Sequence, residues 1–170
     1  TMDCPAFVLS VEVSTVLRNQ MSVLFSHVSQ LESGWNSKSR RNFVDELSEL
    51  GDEYREGIYS KGFSGEKTPF RYDDLIDLFA LYLRYLDDTI LSNQRSDGLY
   101  HSYNVLAFGE GTLSINQLFE MLEGQVAVLN SGLLGPEDAL LVLDALRGSA
   151  MYRADQNSYM LYPDRDLPRF

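Results

Sequence analysis

The stretch from Arg95 to Asn104 concentrates the side chains best suited to bind a polar ligand. It reads Arg-Ser-Asp-Gly-Leu-Tyr-His-Ser-Tyr-Asn and follows a long apolar helical pattern. An acid, an imidazole and two phenols so close together exceed what a linker needs, and they suit a ligand such as a sugar. We therefore expect a sugar-binding loop with Asp97 as the preferred catalytic carboxylate. Its predicted binding residues are Tyr100, His101, Tyr103 and Asn104.

The turn chemistry of this loop leaves two interpretations open. Asp97 precedes Gly98, and this pair favours a tight turn. Such a turn could aim Tyr100, His101 and Tyr103 toward one cleft. In the alternative, Asp97 only caps the turn, and the tyrosines pack against the neighbouring helices.

Carboxylates beside aromatic residues are the second feature of the sequence that could take part in catalysis. Glycoside chemistry needs two carboxyl groups that flank the sugar, one of them protonated. Glu123 adjoins Gly124, which would permit the close approach of a helix or a ligand, and Asp155 lies in a polar, aromatic segment. We include both among the predicted binding residues, although most acids on helices and loops are simply exposed. The acids considered are Glu32, Asp97, Glu110, Glu123, Asp155, Asp164 and Asp166.

Other kinds of chemistry lack their sequence signals. Gly109-Glu110-Gly111 is too weak a match for a phosphate-binding loop. The two histidines do not have the spacing of zinc ligands, and residues 93–104 fail as a calcium loop because the last position is Asn104 and not Glu. No nucleophile elbow is present. We predict no metal site and no cofactor.

Composition bounds the class of protein and its partners. The 170 residues are 44% hydrophobic and 23% charged, as in a globular domain. A net charge of −11 disfavours nucleic acid and anionic membranes as partners, because both are bound through Lys and Arg. The lone Cys4 excludes an internal disulfide. The sequence shows no membrane-spanning apolar run and no basic leader, so it predicts neither a transmembrane helix nor a signal peptide.

Apolar spacing predicts five helices and few strands. The third helix is apolar nearly all round, which predicts burial on most of its sides. The fourth is expected to begin at a capping box, Ser114-Ile115-Asn116-Gln117. The predicted helices are Val11–Leu31, Ser39–Tyr59, Tyr72–Leu91, Ser114–Leu129 and Pro136–Leu146, and Leu99–Phe108 and Ser158–Tyr162 are possible short extended pieces.

This pattern predicts an all-α fold, an array of helical hairpins in one domain over residues 1–170. The chain ends in a polar, proline-punctuated segment, Asp164 to Phe170. Because such segments usually lead into another element, we expect the chain to be a piece of a longer protein.

The nine residues from Glu32 to Arg40 resemble a known signature. Glu-Ser-Gly-Trp-Asn-Ser-Lys-Ser-Arg is similar to the Glu-Ser-Gly-Trp-Asp-x-x-Ser-Arg signature of trehalase-like glycosidases, which form the (α/α)6 toroid or six-hairpin class. The resemblance implies a general acid at the Asp position, but this chain has Asn36 there, which cannot deliver a proton as a carboxylic acid does.

Three further segments resemble blocks of large bacterial proteins of six-hairpin glycosidase type. These segments are Arg95–Asn104, Met121–Ser131 and Asp155–Leu167. Such proteins are similar in layout to cellobiose phosphorylases and debranching glucosidases. The resemblance implies that this chain supplies several of the helices of an α/α toroid.

Two hypotheses follow for function. In the first, the chain is part of a carbohydrate-active six-hairpin protein, with an oligosaccharide or glycoside as its ligand. Trp35 would then be a stacking platform beside the predicted loop. In the second, the chain is a non-enzymatic helical module, and its apolar third helix and acidic surface serve assembly with other parts of the parent chain or with another protein.

Overall fold

The computed structural model describes residues 5–164 and shows a mixed α/β chain. Helices hold 56% of the described residues and strands 18%, so the prediction of an all-α array of helical hairpins in an α/α toroid is wrong. Cys4 and Asp166 lie outside the described residues, as does the end of the segment Asp155–Leu167.

The described residues form six helices and six strands. The helices are α1 (Val11–His27), α2 (Gln30–Ser33), α3 (Ser37–Lys61), α4 (Tyr72–Ser92), α5 (Leu122–Asn130) and α6 (Pro136–Gly148). The strands are β1 (Ala6–Ser10), β2 (Lys67–Arg71), β3 (Asn104–Gly109), β4 (Thr112–Gln117), β5 (Tyr152–Arg153) and β6 (Ser158–Tyr159). The strands pair as three antiparallel ribbons, β1–β2, β3–β4 and β5–β6.

The predicted fourth helix is wrong over its first half, where β4 lies instead. Gly111 has a φ of 63° and lies in the turn that joins β3 to β4. Along β4, Leu113 is fully buried while Thr112 and Ser114 are exposed, which is the alternation of a strand. The capping-box pattern at Ser114 is therefore part of a hairpin, and the helix begins only at Leu122.

The β1–β2 ribbon lies where the sequence pattern predicts no strand. Phe7 pairs with Phe70 and Ser10 pairs with Lys67. Strand β1 continues directly into α1, and β2 continues directly into α4. These strands are short, and β2 contains a proline, so neither carries a clear alternating pattern.

Contacts divide the chain into two compact units. The first comprises residues 5–86 with 108–114, and the second comprises residues 87–107 with 115–164. The prediction of a single domain stays a prediction.

The core of the first unit lies between α1 and α4. Leu24, Leu78 and Leu81 are buried together. The Tyr85 hydroxyl donates to the backbone oxygen of Leu24 at 2.6 Å, and this bond lets a phenol pack at the core without an unpaired polar atom. The residues that pack around this core are Leu17, Met21, Val28, Phe43, Tyr82 and Tyr85.

The core of the second unit consists of two clusters. In one, Leu99 lies with Leu146 and Met151; in the other, the buried ring of Tyr100 lies with Val128 and Val142. Adjacent residues of the loop after α4 therefore contribute to both clusters.

Helix α4 is apolar, but it is not buried on most sides as its sequence predicts. Leu78 is fully buried, whereas Leu83 is 59% exposed and Leu86 is 56% exposed. The helix presents one apolar face to the core and a second apolar face to solvent. Sequence composition cannot distinguish these faces, because both are equally hydrophobic.

We predict that Leu78→Ala lowers the free energy of unfolding by about 2–5 kcal/mol, because it leaves a cavity in a closed core. Leu86→Ala should cost less than about 0.5 kcal/mol, since its side chain is largely in water already. Urea unfolding of the two variants measures both values. Equal losses at the two positions would contradict the exposure of Leu86.

Candidate functional site

The predicted tight turn at Asp97-Gly98 is confirmed. The Gly98 N–H donates to the Arg95 oxygen at 3.2 Å, and the Arg95 N–H donates to the Leu99 oxygen at 2.8 Å. Gly98 has a φ of 83°, a backbone conformation that a residue with a Cβ rarely adopts. The glycine therefore sets the direction in which the chain leaves the turn.

Asp97, the preferred catalytic carboxylate, is bound to the guanidinium of Arg95. Arg95 Nη2 donates to Asp97 Oδ2 at 2.8 Å and Arg95 Nε donates to Oδ1 at 3.1 Å, while the Leu99 N–H donates to Oδ1 at 3.2 Å. The hydrogen bonds from Arg95 hold the pKa of Asp97 below its ordinary value. Asp97 is therefore ionised at neutral pH, and its contacts are those of a turn cap, not of a general acid.

Tyr100 faces the interior, with only 2% of the residue exposed. The side-chain amide of Gln125 holds its backbone: the Tyr100 N–H donates to Gln125 Oε1 at 2.9 Å, and Gln125 Nε2 donates to the Tyr100 oxygen at 2.8 Å. Burial raises the pKa of the Tyr100 hydroxyl. The structure thus gives Tyr100 a packing role.

The glycine beside Gln125 has a packing explanation. A Cβ added at Gly124 would lie 2.0 Å from Ser102 Oγ and 3.0 Å from Ser102 Cα. Of the two explanations that the sequence left open for this glycine, the close approach of another protein segment applies.

His101 is tied to backbone atoms on both sides of the loop. The backbone N–H of His101 donates to the backbone oxygen of Asn93 at 2.9 Å. Its Nδ1 lies 3.0 Å from the Leu118 oxygen, and because a carbonyl only accepts, Nδ1 must carry the proton. One ring nitrogen is thereby committed to the fold.

Tyr103 and Glu123 are the predicted site residues that the structure brings together. Tyr103 is 52% exposed, and its hydroxyl donates to the Glu123 carboxylate. That hydrogen bond, with the negative charge of Glu123, raises the pKa of Tyr103. Asn104 is exposed at the start of β3.

Asp155 is held by a guanidinium in the same manner as Asp97. Arg153 Nη2 donates to Asp155 Oδ2 at 2.8 Å, and Arg153 Nε donates to Oδ1 at 2.9 Å. These bonds lower the pKa of Asp155. The pair lies in the β5–β6 hairpin, where the Met160 N–H also donates to the Met151 oxygen at 2.7 Å.

Trp35 belongs to the first unit, whereas the other predicted site residues belong to the second. Its indole stacks on His27 at 6.3 Å between ring centroids and contacts Phe43 at 5.0 Å and Tyr85 at 6.2 Å. The ring is part of an aromatic cluster, and these contacts cover much of the surface that a sugar would use.

Asn36, at the general-acid position of the glycosidase signature, is the N-cap of α3. Its Oδ1 accepts from the Lys38 N–H at 3.0 Å and the Ser39 N–H at 2.9 Å. The Ser39 hydroxyl lies 3.1 Å from the Asn36 nitrogen and completes a capping box. Helix capping accounts for the residue types at both positions.

A stripe of exposed apolar residues along α4 is a feature that the sequence does not separate from its buried face. The spacing of three and four residues places its members on one side of the helix. The Phe7 ring, from β1, lies 6.0 Å from the Tyr72 ring and extends the stripe. We call Tyr72, Ile76, Phe79, Leu83 and Leu86 the α4 stripe.

A cleft between α1 and α3 is the second feature that sequence reasoning missed. It has a volume of about 530 Å³, and its lining includes Glu12, Gly57 and Ser64. Gly57, a glycine near the end of α3 but still inside the helix, is the sequence signal that could have indicated it.

No family model matches this sequence, and no curated protein matches it either. The resemblance to six-hairpin glycosidases therefore stays a prediction. Within residues 5–164, no three His, Cys, Asp or Glu side chains are grouped so as to hold a metal ion. Among the described helices, none combines the length and the apolarity that crossing a membrane requires.

We predict that Gln125→Leu lowers the free energy of unfolding by about 2–4 kcal/mol, because it leaves the buried Tyr100 N–H and C=O unpaired. Gln117→Leu, on the exposed face of β4, should change it by less than about 0.5 kcal/mol. Urea unfolding measures both values. A small loss at Gln125 would show that the loop does not depend on the amide.

We predict a pH-dependent difference in stability between the wild type and Asp97→Asn. The folded pKa of Asp97 lies below its ordinary value of 3.8, so the pairing with Arg95 stabilises the folded chain above that pH. The difference should be less than about 1 kcal/mol at neutral pH, because the pair is partly exposed. It should disappear as the pH falls through the folded pKa. Denaturant unfolding over a pH series tests this, and a difference that grows on acidification would contradict it.

Proposed function

We propose that this chain is a non-enzymatic interaction module that docks a partner through the α4 stripe. The observation that carries the proposal is a continuous row of large apolar side chains in solvent: Ile76 is 48% exposed, Phe79 55% and Leu83 59%. Single exposed apolar residues are ordinary, but a contiguous patch at helical spacing is typical of a protein interface.

The charges beside the stripe favour one kind of partner. Between Tyr72 and Leu86, α4 carries three carboxylates, of which Asp73 is ion-paired with Arg71 at 3.2 Å and Asp74 with Arg18 at 3.3 Å. The third, Asp77, lies on the flank of the stripe, one residue after Ile76. A partner helix with an apolar face and a Lys or Arg rim complements this surface, whereas a second copy of the chain would bring like charges together.

Three observations weaken the carbohydrate hypothesis as the main function. The toroid that would support it is not the fold. Asp97 and Asp155 are each bound to an arginine, and Asn36 caps α3. Glycan binding stays a hypothesis, with Tyr103, Asn104 and Glu123 as its exposed residues.

We predict that a helical peptide with a leucine stripe and a lysine rim binds the chain more tightly than a peptide with the same stripe and a glutamate rim. The difference should be at least about tenfold and should shrink as salt is added, because the rim contacts are screened. Fluorescence anisotropy of labelled peptides measures both affinities.

Variants of one residue type locate the binding surface. Phe79→Gln should weaken the lysine-rimmed peptide by about tenfold or more, as the loss of an apolar anchor does. Phe25→Gln is the matched control, since Phe25 is also exposed on a helix of the same unit but lies outside the stripe. Equal effects of the two variants would contradict the proposal. A dimer of the chain that Phe79→Gln abolishes would also contradict it, because the stripe would then pair two copies.

A further inference from the structure

The cleft between α1 and α3 has the size and the lining of a small-molecule site. Its volume of about 530 Å³ lies within the range of roughly 300–1,000 Å³ that is usual for such sites. Val11 and Val16 line it from α1, and Leu50 and Ile58 line it from α3. Both helices belong to the first unit, so one compact body forms the whole cleft. The walls suit an aliphatic or aromatic body.

The two helices run in opposite directions along the cleft. The start of α1 lies beside the segment that follows α3, where the Ser64 N–H donates to Glu12 Oε1 at 2.7 Å. The end of α1 lies beside the first half of α3, where His27 Nε2 is 3.2 Å from Glu46 Oε1. Residues that are equally far from these contacts along the two helices therefore face the cleft at the same level.

Two uncharged polar side chains line the cleft at one such level. Asn19 lies eight residues before His27, and Tyr54 lies eight residues after Glu46. Among the residues that the structure describes, none forms a hydrogen bond with the Asn19 amide or the Tyr54 hydroxyl. Asn19 is exposed, and the Tyr54 hydroxyl oxygen is not buried. Both groups can donate and accept, and both are available to a ligand.

The charged residues of the cleft do not select an ionic ligand. Hydrogen bonds from the Ser64 side chain and backbone lower the pKa of Glu12 to about 2, and Ser10 adds to the effect. The fold itself therefore stabilises this carboxylate. Glu53 and Lys61 are opposite in sign and exposed, so water screens their charges. A charged head group that entered the cleft would lose hydration without gaining a buried counter-ion.

We propose that the α1–α3 cleft binds an uncharged amphipathic small molecule, with its apolar body between the helices and its hydroxyl group hydrogen-bonded to Asn19 and Tyr54. The apolar walls require the body, and the two unpaired neutral groups suit a head group that both donates and accepts. This site is independent of the α4 stripe.

Three probes of similar size and different head group test the proposal: phenylbutanol, phenylbutylamine and phenylbutyrate. Amide chemical shifts followed by NMR should move for Asn19, Tyr54 and Gly57 when the alcohol is added to the whole chain. The alcohol should bind at least about tenfold more tightly than either charged probe, because only the charged probes lose ionic hydration. Equal or tighter binding of the amine or the carboxylate, or shifts spread over the surface, would overturn the proposal.

Two variants separate the hydrogen bond from the space. Tyr54→Phe removes the hydroxyl and keeps the ring, so it should weaken phenylbutanol by roughly three- to tenfold and leave butylbenzene, which lacks a hydroxyl, unchanged. Gly57 lines the cleft, and a Cβ added there would meet no atom within 4 Å. Gly57→Leu should therefore fill the cleft and weaken both ligands by about tenfold or more. Melting temperatures report whether each variant is folded.

Tyr59→Phe is the matched control, because Tyr59 is 84% exposed on α3 and lies outside the cleft lining. It should leave the affinities for phenylbutanol and butylbenzene unchanged. If Tyr54→Phe binds phenylbutanol as the wild type does, the hydroxyl of the ligand is not recognised there and the proposal fails. This failure would not affect the peptide experiment on the α4 stripe.

Discussion

The course of the backbone through the second unit depends on the buried side-chain amide of Gln125. An amide offers one acceptor and two donors, and Gln125 uses them on the N–H and C=O of Tyr100 and on the Met121 oxygen. The amide therefore hydrogen-bonds the backbone of the loop in the way that a neighbouring strand would. With the loop held in this way, Leu99 and Tyr100 reach separate apolar clusters, and the absence of a side chain at Gly124 lets the chain pass close to α5. A loop fixed so tightly has little freedom to close on a ligand.

The same residue types that recognise a sugar also satisfy the polar groups of a structured loop, which is why the sequence could not assign this segment. The turn at Asp97-Gly98 is determined by its own residues, so the sequence predicts it correctly. Whether Tyr100 faces solvent or the core is decided by Val128 and Val142, which are distant in the sequence. The sequence shows which donors and acceptors the loop contains, but it does not show which groups they bind.

Helices were predictable to the extent that their determinants are local. The spacing of apolar residues located α1, α3, α4 and α6 closely, and it located α5 from Leu122 onward. The β1–β2 ribbon was not predictable, because its pairing joins residues as far apart as Phe7 and Phe70. In contrast, the extended pieces predicted at Leu99–Phe108 and Ser158–Tyr162 overlap β3 and β6. The solvent exposure of apolar residues could not be predicted from the sequence either. The α4 stripe and the buried residues Leu78 and Leu81 have the same composition, and only the packing of α1 on one side of the helix distinguishes them.

The signature-like segment 32–40 has a structural role at several of its residues. Gly34, with a φ of 83°, ends α2, and the indole of Trp35 joins an aromatic cluster. Asn36 and Ser39 then cap α3. Asn and Asp cap a helix equally well, since each presents an oxygen to the first free N–H groups, but only Asp has a proton to give. Asn36 therefore supplies the oxygen that the start of α3 needs, and the connection from α2 to α3 does not require an acidic proton at this position.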